Sequence, residues 1–148
     1  MKKFQFSLGT VLDYKQQVLD ALMGEHAAAL AAVRKQEAAL AAAERRYTEQ
    51  NLLFREKKES GITISEARLY EDGLRALEAE TRREADRLLR LQRREEEKRA
   101  QVVEAKKETS SLEKLREKKL DGHRRACQKD EERSIDDFVS LARIAGGT

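Results

Sequence analysis

The sequence contains no proline and no tryptophan, and only 5% of its 148 residues are aromatic. It has seven glycines, and four of them lie at the ends or in one short segment, residues 60–65. Proline and glycine are the residues that most often interrupt helices. The chain therefore has little that would break a helix, and its composition argues against a compact core.

Other absences narrow the class of protein further. Cys127 is the only cysteine, so no internal disulfide can form. No run of apolar residues is long enough to span a membrane. The opening segment, residues 1–8, begins with two lysines but lacks the continuous apolar region of a signal peptide. We therefore expect a cytoplasmic protein.

Charged residues make up 40% of the chain, and the formal net charge is only +3. Such a mixture of both signs is typical of long helices with a solvated, ion-paired surface. A nucleic-acid-binding groove is disfavoured, because stacking aromatic residues are scarce and no nucleic-acid-binding motif occurs.

Apolar residues recur at helical spacing on both sides of residues 60–65. Before them, four apolar residues lie seven residues apart, the repeat of a coiled coil: Val33, Leu40, Tyr47 and Phe54. We expect these to alternate with polar residues on the line facing a partner helix, namely Glu37, Glu44 and Asn51. After residue 65, a second, mostly apolar series at steps of three and four runs from Tyr70 to Leu112. Its polar members are Thr81, Glu84, Glu95 and Lys98.

Residues 60–64 carry the signals of a turn between two helices. Gly61 can adopt the positive φ that ends a helix, and Thr63 with Glu66 forms a capping box for the next one. If the chain reverses here, facing positions add up to about 124, and the two apolar series then come into register, as in Phe54 with Tyr70. The sequence therefore predicts an all-α fold, a long two-helix antiparallel coiled coil (an α-hairpin). It would form a single domain over residues 1–148, with helix 1 at about 6–59, a turn at 60–64 and helix 2 at about 65–144.

The second helix is predicted to be longer than the first. Leu8 would face position 116, so about 20 to 25 residues at the end of helix 2 should project without an intramolecular partner, with His123 at the start of this overhang. The overhang has its own apolar residues: Ile135, Phe138, Val139, Leu141 and Ala142. Exposed apolar stripes mark binding surfaces. Charge is also segregated here, with net +5 over residues 114–129 and net −4 over residues 130–137.

No group of residues predicts catalysis. His26 and His123 lie far apart, and His26 should fall beside Lys98 in the hairpin. Cys127 has basic neighbours but no paired base, which favours a passive exposed thiol. No phosphate-binding loop motif occurs. We predict a protein that is not an enzyme and that has no cofactor, no metal site and no small-molecule substrate.

The chain resembles the FliJ family of the bacterial flagellar type III export apparatus. The resemblance rests on the opening Phe4–Asp13, on the Gly61–Thr63 hinge followed by Tyr70 and Leu77, and on the closing Ser134–Phe138. It implies a coiled-coil stalk that inserts into the hexameric export ATPase, promotes its assembly and activity, links it to the export-gate membrane protein and escorts export chaperones. The location implied is cytoplasmic, peripherally associated with the inner face of the cell membrane.

The resemblance also implies two sets of contact residues. The ring-facing residues would be Leu8, Val11 and Leu12 at one end of the chain and Ile135, Asp136, Asp137 and Phe138 at the other. The export gate would be contacted by the hinge-proximal residues Tyr47, Phe54 and Tyr70. Gly73 stands where a larger apolar residue would better support that face.

Three other interpretations remain open. The stalk of a virulence injectisome has the same architecture. The basic segment 114–129 would suit a nucleic-acid-associated coil, although we expect no nucleic-acid binding. A scaffold hairpin could pair through Ile135 and Phe138, whereas we expect the free protein to be a monomer.

Overall fold

The computed structural model describes residues 2–147, and these form two helices, α1 (Gly9–Ser60) and α2 (Ile64–Gly146). The helices pack against each other in opposite directions, which confirms the predicted α-hairpin coiled coil with a longer second helix. Their contacts fall into two compact units, unit 1 (residues 2–20 and 103–147) and unit 2 (residues 21–102). The predicted domain ends, Met1 and Thr148, lie outside the described residues, and the single domain stays a prediction.

The turn in unit 2 uses the residues expected from the sequence. Gly61 has a φ of 89°, and its N–H donates to the Lys58 carbonyl at 3.3 Å. The Thr63 hydroxyl accepts a hydrogen bond from the Glu66 N–H at 3.2 Å and so caps the start of α2. Because Ser60 is still helical and Ile64 is already helical, the turn is residues 61–63.

Helix α1 begins at Gly9, three residues later than predicted. Its first turn contains no acidic residue, and the Gly9 N–H donates instead to the Phe6 carbonyl at 3.0 Å in a preceding turn. Residues 2–6 have no regular secondary structure; we call them the N-terminal strap. The strap packs on α2, with the rings of Phe4 and His123 at 5.6 Å between centroids.

The line of residues by which each helix faces the other, called the seam, is thin. In unit 2 its largest buried side chain is Phe54, which stacks on Tyr70 with ring centroids 5.3 Å apart and planes inclined by 17°. The Lys58 ammonium lies 4.0 Å from the Phe54 ring centroid. The stacked pair of Phe54 and Tyr70 confirms the predicted register close to the turn.

Two polar seam positions predicted on α1 are wrong. Glu37 and Glu44 are exposed, and the buried positions are Gln36 and Ala43. The seam takes a step of three residues after Val33 and Leu40, because Ala43 is small enough to sit between the helices. The Gln36 side-chain amide can be buried because it donates to the carbonyl of Glu84 at 3.0 Å and also to the Glu84 carboxylate.

Glu95 is a buried acid in the middle of unit 2, only 5% exposed. His26 Nε2 donates to its carboxylate at 2.8 Å, and Arg99 donates to the same oxygen at 2.6 Å. The hydrogen bond from His26, and next that from Arg99, lower the pKa of Glu95 below its ordinary value. His26 was predicted beside Lys98, but Lys98 pairs with Glu25 at 2.8 Å instead.

In unit 1 the seam buries Leu12, Ala105 and Thr109. The Thr109 hydroxyl is satisfied inside α2, where it donates to the Ala105 carbonyl at 2.8 Å. At the rim, Lys15 pairs with Glu108 at 2.6 Å, and this carboxylate raises the pKa of Lys15. Every buried side-chain nitrogen and oxygen among the described residues has a hydrogen-bond partner.

The covered part of α2 extends beyond the start of α1, because Phe4 of the N-terminal strap packs on His123. Leu120, His123 and Cys127 are half-buried, and every described residue from 128 to 147 is exposed. The expectation that His123 starts the overhang is therefore wrong, because Phe4 covers it. We define the C-terminal overhang as residues 128–147. It is helical up to Gly146 and about 30 Å long.

Loss of the turn's cap should destabilise the hairpin. Thr63→Ala removes the acceptor of the Glu66 N–H and should lower the free energy of unfolding by about 1 kcal/mol. Gly61→Ala should cost a similar ~1 kcal/mol, because alanine strains at a positive φ. Urea unfolding followed by circular dichroism measures both. Ser65→Ala, on the exposed first turn of α2, is the control, and an equal loss there would contradict the capping role.

The buried acid predicts a dependence of stability on pH. Because the folded pKa of Glu95 lies below its unfolded value, its stabilisation is complete above the unfolded-state pKa, about 4.3, and is lost as the pH falls through the folded pKa. Glu95→Gln should therefore flatten the decline in unfolding free energy at acid pH. Glu96→Gln, at the exposed neighbouring position, is the matched control, and identical pH profiles for the two variants would exclude the coupling.

Candidate partner-binding surfaces

The C-terminal overhang carries the most exposed apolar face of the described residues. Ile135, Phe138, Val139 and Ala142 follow the spacing i, i+3, i+4, i+7, which places them on one side of α2. Phe138 is 73% exposed, and Leu141 and Ile144 are similarly open. An amphipathic helix with these anchors suits an apolar groove of another protein.

The overhang stays helical for local reasons. No proline or glycine occurs between Gly122 and Gly146, and Gln128 donates to Glu132 one turn later at 3.4 Å. Arg143 lies in the last turn, where a cation favours the helix C-terminus. The apolar face is therefore preformed rather than ordered on binding.

Asp136 and Asp137 lie on the overhang with no ion pair among the described residues. Their carboxylates are exposed; at about 100° per residue, Asp137 lies beside Phe138 on α2, whereas Asp136 lies nearly opposite it. A partner that covers Phe138 therefore meets negative charge at the edge of the contact. The arrangement suits a groove with basic side chains at its rim.

The three N-terminal residues predicted to face a ring are not equivalent. Leu12 is buried in the seam, whereas Val11 is 42% exposed and Leu8 is near the same level. Only Leu8 and Val11 can contact a partner while the helices stay paired. Leu12 holds α1 against α2.

The structure does not bring the N-terminal and C-terminal sets together. Leu12 shares a groove with Arg116 of α2, and Ile135 lies 19 residues (135 − 116) further along, about 28 Å in a helix. The two sets are therefore separate surfaces of unit 1. A partner that uses both must span that distance.

The hinge-proximal residues form a partly covered cluster. Phe54 is buried, and Tyr47 and Tyr70 are half-buried. Phe54 and Tyr70 lie together, and Tyr47 sits in a separate shallow groove with residues of both helices: Glu44, Thr48, Glu78, Thr81 and Arg82. Only the edges of the two tyrosines are open to a partner.

One apolar surface near the turn was not predicted. Leu69 is 72% exposed and lines a groove with Gln50, Lys57, Glu66 and Tyr70. The sequence did contain a signal for it. Leu69 directly precedes the seam residue Tyr70 and is not itself at a seam position, so its side chain points away from α1. Gly73 lies close by, and a Cβ there would meet the Gln50 side chain at an ordinary 3.9 Å.

Cys127 is half-buried, and His123 Nε2 lies 3.5 Å from its sulfur, one helical turn earlier. The expectation of an exposed thiol without a neighbouring base is therefore wrong. The helix itself brings the two together, because residues at i and i+4 lie on one face, and Phe4 packs on the ring of His123. Among residues 2–147 no cluster of three or more potential metal ligands occurs.

Neither α1 nor α2, as far as the described residues extend, contains a segment long and apolar enough to cross a membrane. The grooves beside Tyr70 and Tyr47 are shallow and open to solvent.

Comparison with known families identifies the family of the chain. The chain matches the family described as the flagellar FliJ protein over residues 4–147, which includes the opening segment, the hinge and the closing Ser134–Phe138. No curated protein and no solved structure matches the chain. The match confirms the resemblance seen in the sequence and favours the flagellar system over an injectisome. The chain belongs to the FliJ family, and it is a non-enzymatic component of the flagellar type III export apparatus.

Proposed function

We propose that this protein is the stalk of the flagellar export ATPase. It binds on or inside the hexameric ring through the C-terminal overhang, promotes ring assembly and turnover, and couples the ring to the export gate. The observation that carries the proposal is the preformed apolar face around Phe138, which lies beyond every contact with α1 and the strap.

The chemistry of the overhang supports a groove between or within ring subunits. Four apolar residues on one side of a helix supply the anchors, and an exposed aromatic residue is a typical hot spot of a protein interface. The carboxylate of Asp137, beside Phe138, favours a partner groove with a basic rim. Leu8 and Val11 add a second contact on the same unit.

The hinge-proximal surface is the proposed contact for the export-gate membrane protein. Tyr47 and Tyr70 offer their edges there, and the exposed Leu69 enlarges the apolar area beside Tyr70. Phe54 supports this surface from below by stacking on Tyr70. Gate binding would hold the protein at the inner face of the cell membrane.

The remaining roles follow from the family. We propose that the protein escorts export chaperones, is a monomer when free, and takes no small molecule and no nucleic acid as substrate. Light scattering that shows a dimer dependent on Ile135 and Phe138 would favour the scaffold alternative.

The ATPase assay tests the proposal directly. Wild-type protein should raise the turnover of the purified export ATPase and promote its hexamer, and Phe138→Ala should raise the concentration needed by about 10-fold or more. Leu89→Ala removes another exposed apolar side chain, in unit 2, and should leave the stimulation unchanged. An ATPase that does not respond to the wild-type protein would refute the stalk function while leaving the fold intact.

The two neighbouring residues on α1 should separate folding from binding. Leu12→Ala should lower the free energy of unfolding by about 2 kcal/mol, because it empties a buried seam position. Val11→Ala should change stability by less than about 0.5 kcal/mol, as surface substitutions usually do, and yet weaken ATPase stimulation. Equal stability losses in thermal unfolding would show that Val11 also serves the seam.

A further inference from the structure

A line of basic side chains runs along the back of α2 in unit 1. Its members are separated by 7, 4, 7 and 4 residues, the steps that return to one side of a helix: Lys107, Lys114, Lys118, Arg125 and Lys129. All five are exposed. None forms an ion pair among the described residues. We call this line the basic stripe.

The basic stripe points away from the covered face of α2. Each member lies two residues from a buried or half-buried residue, as Lys107 does from Ala105 and Arg125 from His123. Two residues of an α-helix correspond to a rotation of about 200°. The stripe is therefore fully available to a partner while α1 and the strap stay packed on the opposite side.

The composition of the stripe restricts the partner. Four of the five bases are lysine, no aromatic residue stands among them, and protein interfaces are depleted of lysine and enriched in aromatic residues. Single-stranded nucleic acid is bound with the help of stacking aromatics, which are also missing. The remaining kind of partner is an extended, negatively charged surface, which the stripe can bind without pockets for individual groups.

The residues on either flank distinguish a flat surface from a nucleic-acid groove. Glu117 and Asp121 lie along one edge of the stripe, and Glu104 and Glu108 along the other. A helix in a DNA groove has phosphates on both sides, so these carboxylates would be repelled. A plane touches the stripe alone, with Asp121 as the nearest acid.

We infer that the basic stripe is a docking surface for a lipid bilayer that carries anionic headgroups. Each base near such a surface contributes about a fivefold gain in affinity, and the lack of apolar residues on the stripe makes the attachment electrostatic and reversible. Glu132 and Asp136 continue the same side of α2 with negative charge, so attraction stops at Lys129. The inference does not rest on binding to the ATPase.

Vesicle co-sedimentation with the full chain tests the inference. The wild-type protein should bind phosphatidylcholine vesicles that contain about 30% phosphatidylglycerol, should not bind pure phosphatidylcholine, and should dissociate when NaCl is raised to about 0.5 M. The triple variant Lys114→Gln, Lys118→Gln, Arg125→Gln should bind roughly 100-fold more weakly. Asp121→Lys fills the stripe and should bind about fivefold or more tightly.

The matched control is Arg83→Gln, Arg87→Gln, Arg93→Gln, which removes the same charge from exposed positions of unit 2. Its affinity should stay close to that of the wild type, and circular dichroism should show unchanged helix content in all variants. Equal losses in both triple variants, no binding by the wild type, or no gain in Asp121→Lys would overturn the inference. Tighter binding to duplex DNA than to the vesicles at equal salt, lost in the stripe variant, would identify a nucleic acid instead.

Discussion

The structure depends on a narrow line of contact between two antiparallel helices. Few side chains are buried on it, and three of them are polar: Gln36, Glu95 and Thr109. Each polar group has a partner within the protein, so none carries the cost of an unsatisfied hydrogen bond. Burial of so little apolar area cannot make a rigid core, and the hairpin is held by many weak contacts distributed along both helices.

The unequal lengths of the helices leave part of α2 uncovered. Helix α1 begins at Gly9, the strap that precedes it contacts α2 at His123, and every described residue after Cys127 is exposed. The exposed part of α2 includes apolar residues, and these are the anchors that we propose for another protein. The fold thus separates residues that hold the helices together from residues that remain available, even where they are adjacent in sequence, as Leu12 and Val11 are.

Charge is distributed according to the same division. In unit 2, charged residues of one helix form ion pairs with the other helix, as Glu25 does with Lys98 and Arg46 with Glu80. In unit 1 the five bases of the basic stripe form no ion pair among the described residues, and the overhang has more acidic than basic residues. The basic stripe can attract a negatively charged partner and the acidic overhang a positively charged one. Each of the two sets would repel the partner that the other attracts.

Most of the fold followed from the sequence alone, because periodic apolar residues, a capped turn and the absence of helix breakers specify two helices and their register. The sequence also located the apolar overhang and its charged neighbours. It did not decide which of two adjacent residues enters the seam: steps of three and four are both compatible with a coiled coil, and only packing selected Gln36 and Ala43 over Glu37 and Glu44. Nor did it reveal that Phe4 covers His123, since the strap has no periodic pattern and its position depends on a contact between residues more than a hundred positions apart.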